Sequence, residues 1–306
     1  MNFIDIINSE NDIEKLKKTA IENLGKLYRV QKAEKRNADI YEFILGSVDL
    51  SADFEFCDNP KVSIVIPVKN NFIITAALLQ SIKKNAKGID YEIIIADDNS
   101  TDEVSQIEYF FPNIKRIVND TGIEGFVYNM NNAISKARGE YIFALNNYTL
   151  TLPGFLTELL NVMERDKSIG IAGAKNLDIQ GLIQECGVNF EKALKINIIG
   201  QYEASTFLDD KEYIDCDYCS GCSILFRRDI WEKAGKFDIN YAPAYYDDSD
   251  FAFNLKYNFG LKTVCVPKAK IYHYKGMTYD SSDAKSLLLR RNGAIFYKKW
   301  QKYLNS

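Results

Sequence analysis

Three short stretches carry side chains whose types and spacing could do chemistry. Tyr246-Asp247-Asp248-Ser249-Asp250-Phe251 is a carboxylate cluster that opens a predicted helix. Asp97-Asp98 and Asn146-Asn147-Tyr148 each follow an apolar run. Acidic residues in the first turn of a helix are favoured by its dipole, so the first cluster has a structural explanation of its own. A carboxylate at the end of a buried strand can accept hydrogen bonds from a base imide or a ribose hydroxyl. The stretch Asp97-Asp98-Asn99-Ser100-Thr101-Asp102 is also turn and cap chemistry. Its place at a strand end, together with its composition, points to a ligand.

The elements that must position these groups follow from hydrophobic period. Residues 62–68 form a continuous apolar run rich in β-branched residues, as expected for a strand buried on both faces. A helix is predicted over 75–85, a strand over 91–96, a short strand over 114–118, a helix over 125–138 closed by Gly139, and a strand over 141–145. This β-α-β-α order predicts a mostly parallel, doubly wound sheet with helices on both faces. In such a sheet ligands bind beyond the carboxyl ends of the strands. Pro67 to Asn71, Asp97-Asp98 and Asn146-Asn147-Tyr148 lie at three such ends and should converge on one crevice.

The second half is more broken. Helices are predicted over 156–165, 230–234 and 248–259, and short strands over 170–173, 187–190, 220–226, 263–266 and 271–274. Before the sheet, residues 9–36 carry Ile13, Leu16, Ala20, Leu24 and Leu27 at helical spacing, with Ser9 as a cap. This helix could pack on the main domain or pair with a second copy. Residues 47–60 read as a polar linker ending in Asn59-Pro60. The expected division is an N-terminal helical extension and linker over 1–60 and one α/β domain over 61–306, its halves meeting near 150.

The chain has 306 residues with 46% hydrophobic and 26% charged side chains, which is ordinary for a globular protein. A formal net charge of -4 does not favour a nucleic-acid partner. The six cysteines do not suggest a disulfide scaffold in a chain this long, and reduced thiols in a cytoplasmic protein are expected. The N-terminus lacks a signal peptide's basic start and apolar core, and no apolar run approaches the ~20 residues that span a bilayer.

The order of motifs resembles glycosyltransferase family 2. The resemblance begins with Val62-Ser63-Ile64-Val65-Ile66-Pro67 and Asn70, then Glu92 to Asp102, Gly125-Phe126 with Asn131, and Ala137 to Ile142. It continues through Leu145-Asn146-Asn147, Pro153-Gly154-Phe155-Leu156, Ser220-Gly221-Cys222, Gly235-Lys236-Phe237-Asp238, Asp247 to Asp250 and Lys270-Ile271-Tyr272-His273. It spans roughly residues 61 to 300, and Arg291-Asn292 resembles a C-terminal pair found in some bacterial rhamnosyltransferase-like members. It implies the GT-A fold, a nucleotide-sugar donor and inverting transfer. It implies nucleotide contacts from Pro67, Val68, Asn70, Asp97, Asp98, Asn131, Asn146 and Asn147. It implies Asp248 as catalytic base, with Asp247 as its acidic neighbour. His273 would lie near the diphosphate as a metal ligand, and Gly221, Tyr246 and Arg291 would face acceptor or diphosphate. A UDP- or dTDP-sugar donor and a glycan, lipid-linked or glycoprotein acceptor are implied, in surface-polysaccharide or glycoprotein assembly.

One position departs from the family. Its members usually carry an acid shortly after the fourth strand, where Mn²⁺ or Mg²⁺ binds. Here the stretch is Asn146-Asn147-Tyr148-Thr149. These hard cations favour carboxylate oxygen. Three arrangements answer the gap: a weak metal site around His273, metal-independent transfer with Tyr148 and a basic residue such as Arg227 or Lys275 at the phosphates, or a non-catalytic module that binds nucleotide or scaffolds a partner. A nucleotidyltransferase would need a Gly-rich phosphate loop after the first strand, and Val68-Lys69-Asn70-Asn71-Phe72 has no glycine.

Two further signals have bland readings. Cys216-x-x-Cys219-x-x-Cys222, with Cys186 as a fourth, has metal-like spacing, yet small apolar side chains suit a buried strand equally well. Residues 287–304 combine Leu287, Leu288, Ile295, Phe296, Trp300 and Leu304 with five basic residues, which suits either a membrane surface or a helix covering the domain. Tyr241, Tyr245 and Tyr246 precede the acidic cluster and offer aromatic faces to sugar rings or to the core. The expected location is the cytoplasm, at the inner membrane face if residues 287–304 lie on lipid.

Overall fold

The computed structural model describes residues 53–191, 194–274 and 282–304. Strand β1 (Val62–Val68) is almost wholly buried, which its unbroken apolar run requires. Helix α1 (Phe72–Asn85), β2 (Tyr91–Asp97), α2 (Ile107–Phe110), β3 (Lys115–Val118), α3 (Phe126–Ile134) and β4 (Tyr141–Leu145) follow. β1 lies between β2 and β4, parallel to both, and β3 runs parallel to β2 at the edge. The register sets Val68 beside Asp97, so the carboxyl ends of these strands finish level and the loops after them share one rim.

After β4 come β5 (Thr149–Thr151), α4 (Phe155–Arg165), β6 (Ile169–Leu177), β7 (Ile183–Glu185), β8 (Val188–Phe190), β9 (Ile196–Ile198), β10 (Ile214–Cys216), β11 (Ser223–Arg227), α5 (Arg228–Lys233), α6 (Asp247–Phe259), β12 (Lys262–His273) and α7 (Ser282–Leu304). β11 inserts antiparallel between β4 and β6. β12 lies parallel to β6, with β10 antiparallel on its far side. The sheet is therefore parallel in its first half and mixed in its second. β8 and β9 form a separate two-stranded ribbon.

Apolar side chains cover both faces. Leu78 and Leu79 of α1 and Phe155 and Leu159 of α4 pack on one, with Ile64 and Phe143. Met130 of α3, Trp231 of α5 and Phe251 of α6 pack on the other, with Val65 and Ile142. A third cluster of Tyr241, Phe253, Phe296 and Trp300 fastens α7 to α6.

Several expectations are revised. The predicted strand over 170–173 is the nine-residue β6, all of it buried. Its glycine reads as a breaker, yet a Cβ on Gly173 would lie 2.4 Å from that of Cys219, so the glycine answers a close approach rather than a turn. The two strands expected over 263–266 and 271–274 are one strand, β12, with a register shift between Val266 and Lys270. Part of the predicted linker is anchored. Phe54 is buried with its ring 6.3 Å from that of Phe111, and Arg138 donates to the carbonyl of Cys57. The helix predicted over 9–36 lies outside the described residues.

Candidate active site

The carboxyl ends of β1, β2 and β4 form one wall of a cleft of about 610 Å³. Pro67, Val68, Lys69, Asp98, Asn146, Asn147 and Tyr148 line it. The opposite wall comes from sequence far away: Ser220 to Cys222 before β11, Pro243 to Tyr245, Asp247 and Asp248 at the start of α6, His273 at the end of β12, and Lys285 of α7. The two walls are laced together where the Asn146 N–H donates to the Cys222 carbonyl at 2.8 Å.

The two strand-end aspartates have separate roles. Asp97 is fully buried; it accepts from Arg116 at 2.7 Å and from the Ser100 N–H at 2.8 Å. It is not part of the cleft lining, so its carboxylate pins β3 and the following turn rather than a base. Asp98 lines the cleft. It accepts from Asn119 Nδ2 at 2.6 Å and from the Gly125 N–H at 2.9 Å. Each carboxylate oxygen has a second lone pair, so a ligand can still be accommodated. Gly125 has φ of +121°, and a Cβ there would fall 2.4 Å from that of Pro243, so only glycine lets the two walls approach this closely.

Asp247 and Asp248 sit side by side at the opening of α6. Asp248 Oδ1 accepts from the Ser249 N–H and hydroxyl, and Oδ2 from the Gly221 N–H at 2.9 Å. Burial pushes the Asp248 carboxyl above the usual carboxylate range against these three donors. Burial and the neighbouring Asp248 charge push Asp247 up as well, to about 8. Hydrogen bonds to the ionised form favour it, so the pair's charge resides on Asp248 and its proton on Asp247. The third acid, Asp250, faces the core instead. It accepts from Tyr241, Lys299 and Trp300, which ties α6 to α7.

Other expected positions fall outside the cleft. Asn131 donates to the Phe237 carbonyl at 2.8 Å and accepts from the Phe237 N–H at 3.1 Å, which uses both ends of its amide on protein backbone. Asn70 sits below the rim, where its side-chain oxygen accepts from the Thr101 N–H and its own N–H donates to Ser100. Tyr246 packs its ring 5.4 Å from Phe296. Arg291 donates to the Ala242 carbonyl and to Asn292. These last two brace the Tyr241–Tyr245 loop from behind. Arg227 pairs with Tyr141 in the ladder, at the opposite end of the sheet from the cleft. Lys275 lies outside the described residues. Glu124 and Lys285 enter the lining without having been expected there, because nothing in their local spacing distinguishes them.

Tyr148 is buried, and its hydroxyl accepts from Asn71 Nδ2 at 3.0 Å. Thr149 pairs with His273, which brings this stretch beside the end of β12. His273 Nδ1 meets Gln184 Oε1 at 2.9 Å while Gln184 Nε2 donates to the His273 carbonyl, which assigns the ring proton to Nδ1. His273 thus has the tautomer of an Nε2 ligand, but the neighbouring groups are two amides and a phenol. Among the described residues no group of three or more His, Cys, Asp or Glu has the geometry to hold a metal. This donor set does not fit a resident Mg²⁺ or Mn²⁺, which takes carboxylate oxygen.

The cysteines with metal-like spacing lie in or against the buried core. Cys186 and Cys265 sulfurs lie 3.0 Å apart and those of Cys216 and Cys219 3.5 Å apart, while Cys222 turns to Asn176. Burial helps to raise the thiols of Cys216, Cys219 and Cys265 well above their ordinary range, so they pack as neutral groups.

The fold and the two-walled cleft at the strand ends are those of a sugar-transfer enzyme class. A family model for glycosyl transferase family 2 matches residues 63–235, more than half of the chain. The chain belongs to that family of glycosyltransferases.

Two curated relatives extend the comparison. The O-antigen biosynthesis protein RfbC of Myxococcus xanthus is 27% identical over 71% of this chain and 17% of its own length. The GalNAc(5)-diNAcBac-PP-undecaprenol beta-1,3-glucosyltransferase of Campylobacter jejuni is 31% identical over 33% of this chain and 34% of its own. The chain thus spans about a third or less of the length of these relatives. Among solved structures, GalNAc-T7 with UDP, GalNAc and Mn²⁺ superposes with a TM-score of 0.59 at 15% identity, over 76% of this chain and 48% of that one. The mannosyltransferase PcManGT of Pyrobaculum calidifontis, with GDP-Man and Mn²⁺, gives 0.52 at 17% identity over 86% and 70%. Both likenesses concern the fold. Among the described residues no helix is long and apolar enough to cross a membrane.

Proposed function

We propose that the protein is an inverting glycosyltransferase with Asp248 as general base. The observation that carries this reading is the placement of Asp248, with its oxygens held by Gly221 and Ser249, in the same cleft as Asp98. Asp98 and the strand-end residues Pro67 and Val68 bind the nucleoside. The acceptor hydroxyl enters against Asp248. Its oxygen attacks the anomeric carbon while its proton passes to Asp248, and the carbon–oxygen bond to the diphosphate breaks with the electron pair leaving on the diphosphate. Attack opposite the leaving group inverts the anomeric centre, through a transition state of oxocarbenium character. The raised proton affinity of Asp248 suits a group that must accept a proton near neutral pH.

The donor is a UDP- or dTDP-sugar and the acceptor a glycan, lipid-linked or on protein, in surface-polysaccharide assembly on the cytoplasmic face. The O-antigen and undecaprenol-linked relatives support that acceptor class. Residues 61–306 form the transferase unit, its nucleotide and acceptor halves meeting near residue 150. The test is turnover of radiolabelled nucleotide sugars without acceptor, followed by transfer to polysaccharide fragments. Slow donor hydrolysis that disappears in Asp248→Asn supports the reading. Nucleotide binding with no hydrolysis or transfer would favour a nucleotide-binding scaffold, the alternative that the neutral Tyr148 position raises.

A further inference from the structure

A leaving diphosphate gathers negative charge and needs a cation or fixed positive groups to receive it. The cleft makes that need acute, because Asp98, Asp247 and Asp248 all line it. The usual answer, a divalent metal, meets a poor donor set here: Asn146, Asn147 and the Tyr148 phenol beside a single histidine. The Tyr148 hydroxyl is already engaged by Asn71. The positive charge must therefore come from side chains.

Two lysines line the cleft. Lys69 is ion-paired with Glu124. Lys285 has no ion pair among the described residues. Its ammonium stands 6.0 Å from the centroid of the Tyr245 ring, itself a lining residue. Both are placed by one device. Asn292, fully buried in α7, shares the two hydrogens of Nδ2 among the carbonyls of Tyr241, Ala244 and Tyr245, at 2.9, 2.9 and 3.0 Å. The helix that carries Lys285 is thus fastened to the loop that carries Tyr245, and the cation is presented at a set position with no ion pair to a carboxylate among the described residues.

We propose that Lys285 is the cation that binds the donor diphosphate, and that donor binding in this enzyme is independent of divalent metal. The inference rests on the transferase reading above. An ammonium is a compact point charge suited to phosphate oxygen, and a bond between an ionised donor and an ionised acceptor is stronger than one between neutral groups.

The experiment is calorimetric titration in EDTA with paired nucleotides: UMP against UDP, dTMP against dTDP, GMP against GDP. For whichever base binds, the wild-type protein should prefer the diphosphate to the monophosphate by about tenfold or more, the size of one charged hydrogen bond. Lys285→Met should remove that preference and leave monophosphate affinity unchanged, which also shows that the variant is folded. Lys285→Arg should restore most of it. An undiminished diphosphate preference in Lys285→Met overturns the proposal, as does a preference that appears only on adding Mn²⁺. Failure of every nucleotide to bind the wild-type protein would overturn the transferase reading itself, and this inference with it.

Discussion

Asp248 and Asp247 are adjacent, alike and buried, yet their surroundings divide the labour. Three donors hold Asp248 ready as the ionised partner, whereas Asp247 keeps the proton. Asp248→Asn should lower transfer by about 10²- to 10⁴-fold, the usual worth of a general base, while nucleotide affinity measured by calorimetry stays within about twofold. Near-wild-type transfer would remove Asp248 from the mechanism. A general base works only when deprotonated, so on the proposed reading kcat/KM should fall as pH drops through the raised pKa of Asp248. The acid limb of the profile should therefore lie above the usual carboxylate range, and a limb within that range would contradict the burial argument. Asp247 has the opposite bearing on stability. Its folded-state pKa is raised, so the native state binds more protons than the unfolded chain and stability declines as pH rises toward that pKa. Asp247→Asn should raise the Tm near pH 7.5 by more than it does near pH 4, where the folded state is protonated and the unfolded chain only about half ionised. An equal shift at the two pH values would mean that the gain is not electrostatic.

At the scale of elements, the site depends on contacts between segments distant in sequence. The Asn292 side chain satisfies three carbonyls of the Tyr241–Tyr245 loop. Asn292→Ala leaves buried acceptors unpaired and should cost about 2–3 kcal/mol in urea unfolding. It should also weaken donor binding, because Pro243 to Tyr245 line the cleft. A variant with unchanged unfolding would show that the loop holds itself. Gly125 is the second such joint. Gly125→Ala places a methyl group against Pro243 at a left-handed φ, and about 2–3 kcal/mol of destabilisation is expected by the same measurement. A loss under 0.5 kcal/mol, the range of ordinary surface changes, would show that the two walls can part without cost.

Across the whole molecule, legibility follows the reach of the interactions. β1, β2 and β4 were readable because a strand buried on both faces has an unbroken apolar run. Their parallel order, and hence the position of the crevice, followed from alternation with helices. Asp98 and Asp248 were readable as site candidates because strand ends and a carboxylate-rich helix start are local patterns. Asp97 was not separable from Asp98, since the distinction is made by Arg116 on a neighbouring strand. Asn131 read as a ligand contact for the same reason, its real partner Phe237 being more than 100 positions away. Lys285 had no local signature at all; only the packing of α7 brings it to the cleft. The length of β6 was not legible either, and Gly173 within it answers the close approach of Cys219 from a distant segment.

The two-walled build of the cleft carries a practical consequence for anyone trimming or recombining this protein. The stretch matched by the family model stops at Gly235, before α6, β12 and α7 begin. A fragment cut at that border would keep the nucleoside wall and the sheet's parallel half, but would lack Asp248, His273 and Lys285. Such a piece would score as a family member while missing half of its working surface. On the proposed reading, a change confined to those late segments would alter the acceptor side of the cleft and leave the strand ends of the nucleoside side in place.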